Sequence, residues 1–99
     1  NPVRLGPRTE PQPDLALLRP RPDGYRGGPP TPVDVLLLIE VADSTLASDR
    51  AVKLPLYARA LVPESCLVDL NGEGLERHTE PRDGQYRRVV VGIARRNAN

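Results

Sequence analysis

The chain has no phenylalanine, tryptophan or methionine, and its only aromatic residues are three tyrosines. A core must therefore be assembled from Leu, Val, Ile and Ala, each large one worth roughly 1.5–3 kcal/mol when fully buried. So few rings also exclude a base-stacking platform for single-stranded nucleic acid. One cysteine, Cys66, leaves no internal disulfide and no second thiol to share a metal, which points to a reducing compartment and, most simply, the cytoplasm. The longest uninterrupted apolar run, Val35–Ile39, is far short of the roughly 20 residues that a membrane span needs. No signal-peptide pattern stands at the N-terminus. Charge of one sign is missing too: a formal net charge of +1 neither argues for nucleic acid nor against it.

Lysine is the other scarcity. All but one of the 14 basic residues are Arg, and the exception is Lys53. In a chain that uses Arg wherever either cation would serve, a lone Lys suggests a place where a compact ammonium matters. At 99 residues there is room for one domain, and a start at Asn1 on a proline-studded stretch reads as a fragment.

Residues 1–12 carry Pro2, Pro7 and Pro11 and form an extended lead-in. The apolar run after Asp14, Leu15–Leu18, reads as a buried strand. Arg19 to Pro32, rich in Pro and Gly, is a loop. Val33 to Ala42 is the clearest element, a central strand whose apolar run is broken by Glu40. A charge there belongs at the strand's end, and if buried it needs a cation or a proton. Ser48 and Asp49 supply capping chemistry for a helix from Arg50 to Ala60, with Val52, Leu56, Leu54 and Tyr57 inward and Pro55 either kinking the helix or delaying its start. Cys66 to Leu70 is a further strand. Leu75–Glu80 and Gln85–Val91 form a hairpin through Pro81-Arg82-Asp83-Gly84. The order is that of an α/β or α+β domain in which a helix packs on a small mixed sheet, with a core over 13–91 and a tail over 92–99.

Metal-dependent phosphodiester hydrolysis needs oxygen ligands converging on Mg²⁺ and a cation to stabilise charge near phosphorus or to polarise the attacking water. Asp14 and Glu40 border two strands that, as neighbours, open both carboxylates to one region, where the Val41 carbonyl can join them. Lys53, on the following helix, can reach the same place. The other candidates read as structural. His78 sits in an exposed-looking strand, Cys66 lies among apolar neighbours, Ser44 has no His nearby, and Asp49 reads as a cap or first-turn acid.

Pro13-Asp14-Leu15-Ala16-Leu17-Leu18, then Asp34 to Ser44, then Asp49 to Ala58 resemble the Uma2 family of predicted restriction endonucleases. Val62-Pro63-Glu64 followed by Leu67-Val68-Asp69-Leu70 resembles it as well, so the likeness runs in order from about residue 13 to 86. That family belongs to the PD-(D/E)xK nucleases, whose fold is a mixed sheet flanked by helices. The resemblance implies that Asp14 is the acid of the PD element, Glu40 the second acid and Val41 the carbonyl donor, together holding Mg²⁺ or Mn²⁺. The superfamily's lysine position, two residues after the second acid, holds Ala42, and the family's displaced lysine corresponds to Lys53. By the same resemblance the chain is a single, truncated nuclease-like domain over 1–99 lacking N-terminal elements. DNA is its substrate, and a homodimer is one assembly left open to it. The rival expectation is a non-catalytic remnant that at most binds a partner. Leu61 replaces a glycine usual in the family, one suited to a helix C-terminal cap, and Ser65-Cys66 replaces an aromatic pair.

Overall fold

The computed structural model describes residues 13–44 and 46–93, so the expected lead-in and most of the expected tail lie outside the described residues. In chain order come β1 (Leu15–Leu18), a 3₁₀ turn (Pro32–Asp34), β2 (Val35–Ala42), α1 (Leu46–Ser48), a π-helical turn (Asp49–Lys53), α2 (Leu54–Arg59), β3 (Glu64–Asp69), β4 (Gly74–Arg82) and β5 (Gln85–Ile93). The five strands form one mixed sheet in the order β1-β2-β3-β4-β5. β2 and β3 run parallel, joined by the helical segment, and all other neighbours are antiparallel. Parallel strands need such a crossover, whereas β4 and β5 need only a tight turn. This is the α+β layout expected from the sequence, with β5 reaching two residues further than expected, to Ile93.

The β4–β5 turn follows from its two central residues. Asp83 and Gly84 both have positive φ, 54° and 76°, as a two-residue hairpin loop with the right-handed twist requires. Pro81 lies inside β4, not in the turn. It is tolerated because β3 pairs β4 only as far as Thr79, so the missing N–H breaks no ladder there.

The helical segment differs most from expectation. It starts at Leu46, four residues early, so Ser48 and Asp49 lie within it, and Ser48 makes no side-chain cap. Pro55 explains the π turn. In a regular α-helix its missing N–H would leave the carbonyl of Ala51 unserved and its ring would crowd that turn. Here the preceding turn is widened, with the Leu54 N–H donating five residues back to Asp49 O, and Pro55 stands in the first turn of α2. The wider turn also shifts the helical phase. Val52, expected inside, is 62% exposed, while Leu54, Tyr57 and Ala58 are buried.

α2 ends in a Schellman motif. The Val62 N–H donates to Tyr57 O at 3.1 Å and the Leu61 N–H to Ala58 O at 3.0 Å, with Leu61 at φ +61°. Those are the two bonds and the left-handed residue that define the motif. Tyr57 and Val62, the residues that bracket it, are both fully buried beside Val35, Leu38, Ala42, Leu54 and Leu67. The core is thus aliphatic, as composition dictated, but with one ring at its centre. Tyr86 from β5 adds a second, its hydroxyl 2.8 Å from Val62 O and 2.7 Å from Ser65 Oγ. Ser65, fully buried, therefore stands where a larger side chain would displace the Tyr86 hydroxyl. Burial pushes the Tyr86 phenol up to about 12.

Candidate active site

β2 alternates its faces: Leu38, Glu40 and Ala42 are buried and Val41 is exposed. Glu40 is not at the strand's exposed end. It lies within β2 at 2% exposure, on the face that also carries the core residues. A buried carboxylate requires partners, and the helical segment supplies two. The Lys53 ammonium lies 3.1 Å from Oε2, and the Tyr57 hydroxyl donates to Oε1. The cation that the sequence called for is therefore Lys53 itself.

Lys53 also lies 3.5 Å from Asp49 Oδ1, one turn back along the π turn. Asp49 is 5% exposed, so it is no solvent-facing cap. Burial alone would lower the Lys53 pKa, but its hydrogen bond to Glu40 and the charges of Glu40 and Asp49 together outweigh that and raise it. The side chain is still 39% exposed, so the ammonium is held between two acids while open to the surface. It is a fixed positive charge at neutral pH, not a base. The Tyr57 phenol is likewise pushed up, by burial first and by the Glu40 bond second, so it stays a donor.

Asp14 comes from the residue before β1. Leu15 pairs with Ile39, so the register continued by one position sets Asp14 across from Glu40, and opposed residues of antiparallel strands share a face. The Asp14 carboxylate Oδ2 accepts a hydrogen bond from the Val41 N–H at 2.7 Å. Within a strand a residue's N–H and C=O point toward the same neighbour, so the Val41 carbonyl faces the Asp14 side too. The structure thus links Asp14 with Val41 and, separately, Glu40 with Lys53. Asp69, at the adjacent end of β3, is occupied by the backbone N–H groups of Asn71 and Gly72, both 3.1 Å from Oδ1.

The donor set suits a hard divalent cation in kind: two carboxylates and a carbonyl, all oxygen. Each engaged carboxylate oxygen keeps a lone pair beyond the one its hydrogen bond uses. Among the described residues no three His, Cys, Asp or Glu side chains cluster as a ready ligand cage. Mg²⁺ commonly keeps several waters, so two carboxylates fit its habit.

Sequence reasoning missed two members of this group. Asp49, Lys53 and Tyr57 recur at intervals of four, the signal of one helical face, yet Asp49 was read as a cap and Tyr57 only as core. His78 is a further correction. It is buried, with Nε2 3.0 Å from Glu76 Oε1 and its ring edge-on to Tyr86. Glu76 Oε2 in turn accepts from Arg50 Nε at 2.8 Å. This Arg50–Glu76–His78 chain ties the π turn to β4. Burial alone would raise the Glu76 pKa, but the hydrogen bonds from Arg50 and His78 outweigh it and bring it below the usual carboxylate range.

A mixed five-stranded sheet with one packed helix is an α+β fold, consistent with a restriction-endonuclease-like domain. The family model Uma2, described as "Putative restriction endonuclease", matches residues 1–97, and the chain belongs to that family. No curated protein and no solved structure matches it. No helix among the described residues is long and apolar enough to cross a membrane.

Proposed function

We propose that this domain is a metal-dependent DNA endonuclease that hydrolyses phosphodiester bonds, working in the cytoplasm. The observation that carries the reading is the buried Glu40 carboxylate, clamped by the chain's single lysine at 3.1 Å, one residue from the Val41–Asp14 hydrogen bond, in a member of a family described as restriction endonucleases. Asp14, Glu40 and the Val41 carbonyl would hold Mg²⁺ or Mn²⁺, which when bound supplies Lewis acidity toward a phosphate oxygen. The protein's own part is electrostatic and positional. Lys53, protonated and partly open to the surface, offers positive charge where the phosphate gathers negative charge as water adds to phosphorus and the bridging oxygen leaves. Asp49 and Glu40 hold that ammonium between them.

A non-catalytic binding module is the second reading, and one observation favours it. Both proposed ligand carboxylates already have protein partners, Asp14 in the Val41 N–H and Glu40 in Lys53 and Tyr57. Calorimetric titration with Mg²⁺ and Mn²⁺ separates the two. The enzyme reading expects saturable binding by the wild type, lost in an Asp14→Asn, Glu40→Gln double variant. A wild type that binds neither ion, or a double variant that binds as well as the wild type, removes the site and leaves the binding module.

A further inference from the structure

We propose that Tyr57 is a positioning residue for Glu40, fixing the carboxylate in the one orientation in which it can offer an oxygen to a divalent cation. The inference rests on the metal-dependent reading above and assigns to it a residue outside the set of acids, carbonyl and lysine.

The argument starts from what Glu40 would do alone. A glutamate side chain has three torsions, and burial restricts its space without choosing the direction of its carboxylate. Lys53 cannot choose it either. Its ammonium rides on a flexible four-carbon stem, and its side chain is 39% exposed. Tyr57 differs on both counts. Its ring is fully buried among Val35, Leu38, Leu54, Val62 and Leu67, and a tyrosine has only two torsions to lose. The helix end fixes its backbone as well, because Tyr57 O receives the Val62 N–H of the Schellman motif.

The phenol hydroxyl is the only polar atom of that side chain, and it reaches Glu40 Oε1, while Lys53 reaches Oε2. The Tyr57 donor on one oxygen keeps the carboxylate from turning about its last bond, while the mobile Lys53 ammonium rests on the other. A lone pair on each oxygen stays free for an ion. The same pattern, a neighbour orienting a ligand it does not replace, governs metal sites generally. Losing such a partner commonly costs about 10–100-fold in metal affinity or activity.

Tyr57 and Lys53 both touch Glu40, yet the proposal gives their removal opposite signatures. Tyr57→Phe keeps the ring and the core and deletes the donor. Mg²⁺ affinity, read by calorimetry on the 99-residue chain, should fall about tenfold or more. Lys53→Ala should leave affinity unchanged or slightly improved, since a cation repels the ion. In the metal-free protein, side-chain scalar couplings should report one Glu40 rotamer in the wild type and averaging in Tyr57→Phe. The wild type alone gives an independent reading: the Tyr57 hydroxyl proton should exchange slowly and persist as Mg²⁺ is added.

Equal Mg²⁺ affinity in wild type and Tyr57→Phe overturns the proposal, as does a hydroxyl signal that vanishes on Mg²⁺ addition. A wild type that binds no divalent ion overturns the nuclease reading instead. In that case the rotamer comparison still decides whether Tyr57 orients Glu40: averaging in the variant supports it, and one rotamer in both proteins ends it.

Discussion

Leu61 sits where the backbone asks for glycine, and replacing it should stabilise the protein. Its φ of +61° is the left-handed conformation, which costs an L-residue about 1–2 kcal/mol through crowding of Cβ. The Schellman bonds from Leu61 and Val62 hold it there, and the buried Tyr57 and Val62 on either side prevent the turn from relaxing. The side chain gives little back, being 65% exposed. Leu61→Gly removes the steric cost and adds the entropy cost of a freer unfolded chain, about 0.5–1 kcal/mol. The difference is a net gain of about 0.5–1 kcal/mol, an upper figure because the modest burial of the leucine is also given up. For a domain of this size that raises Tm by roughly 2–8 °C. Urea and thermal unfolding monitored by far-UV circular dichroism would measure it, with an unchanged urea slope as the sign that only stability moved. Leu61→Ala is the control, because it shortens the side chain and keeps the left-handed strain. A Gly variant no more stable than wild type would refute the strain argument. An Ala variant that gains as much as Gly would assign the effect to the exposed leucine instead.

Two further perturbations address the site and the core. Lys53→Ala and Lys53→Arg should each slow DNA cleavage by about a hundredfold or more, the scale of losing one preorganised stabiliser, because Arg replaces a compact ammonium by a broad fork; cleavage by Lys53→Ala at the wild-type rate would remove the role given to Lys53. At high pH the protein should unfold as its phenols ionise. Burial raises the folded pKa of Tyr86 to about 12 from about 10, so the stability it contributes is complete below about pH 10 and is lost as pH rises toward 12; Tyr57 and Tyr25 are shifted the same way. Tyrosinate absorbance should therefore lag at pH 10 and then rise together with loss of the far-UV signal. Two tyrosines titrating freely while the fold persists would contradict the burial described.

Much of the fold was written in local pattern. The β2 run from Val35 to Ile39 declared a buried central strand, and Asp83-Gly84 declared a hairpin, because run length and turn chemistry are properties of a few adjacent residues. Asp14, Glu40 and Lys53 could be singled out for a similar reason: each is a charge that borders or breaks an apolar run, or the only residue of its kind. What could not be read locally was partnership. His78 looked exposed because Thr79 and Glu80 beside it are polar, yet its ring lies edge-on to Tyr86 of the next strand. Its hydrogen-bond partner, Glu76, is two residues away and on the same face of the strand. The spacing was visible, but its meaning depended on the helix that brings Arg50 over it.

The π turn is the case where one residue reorganises the site. Pro55 was legible as an obstacle, and the sequence left a kink or a late helix start open; the structure takes a third course, a widened turn. Only the last carries the segment through without a break, and it does so by changing phase. A kinked helix of regular pitch would have kept Val52 with Leu56 on the buried side, as the sequence suggested. The widened turn instead puts Val52 in solvent and leaves Asp49, Lys53 and Tyr57 along one line above Glu40. The proline therefore acts at a distance on the carboxylate. It selects the turn, the turn sets which side chains face β2, and those side chains give a buried acid its two donors. That chain of causes explains how a lysine on the helix, and not two residues after Glu40, meets the Glu40 carboxylate.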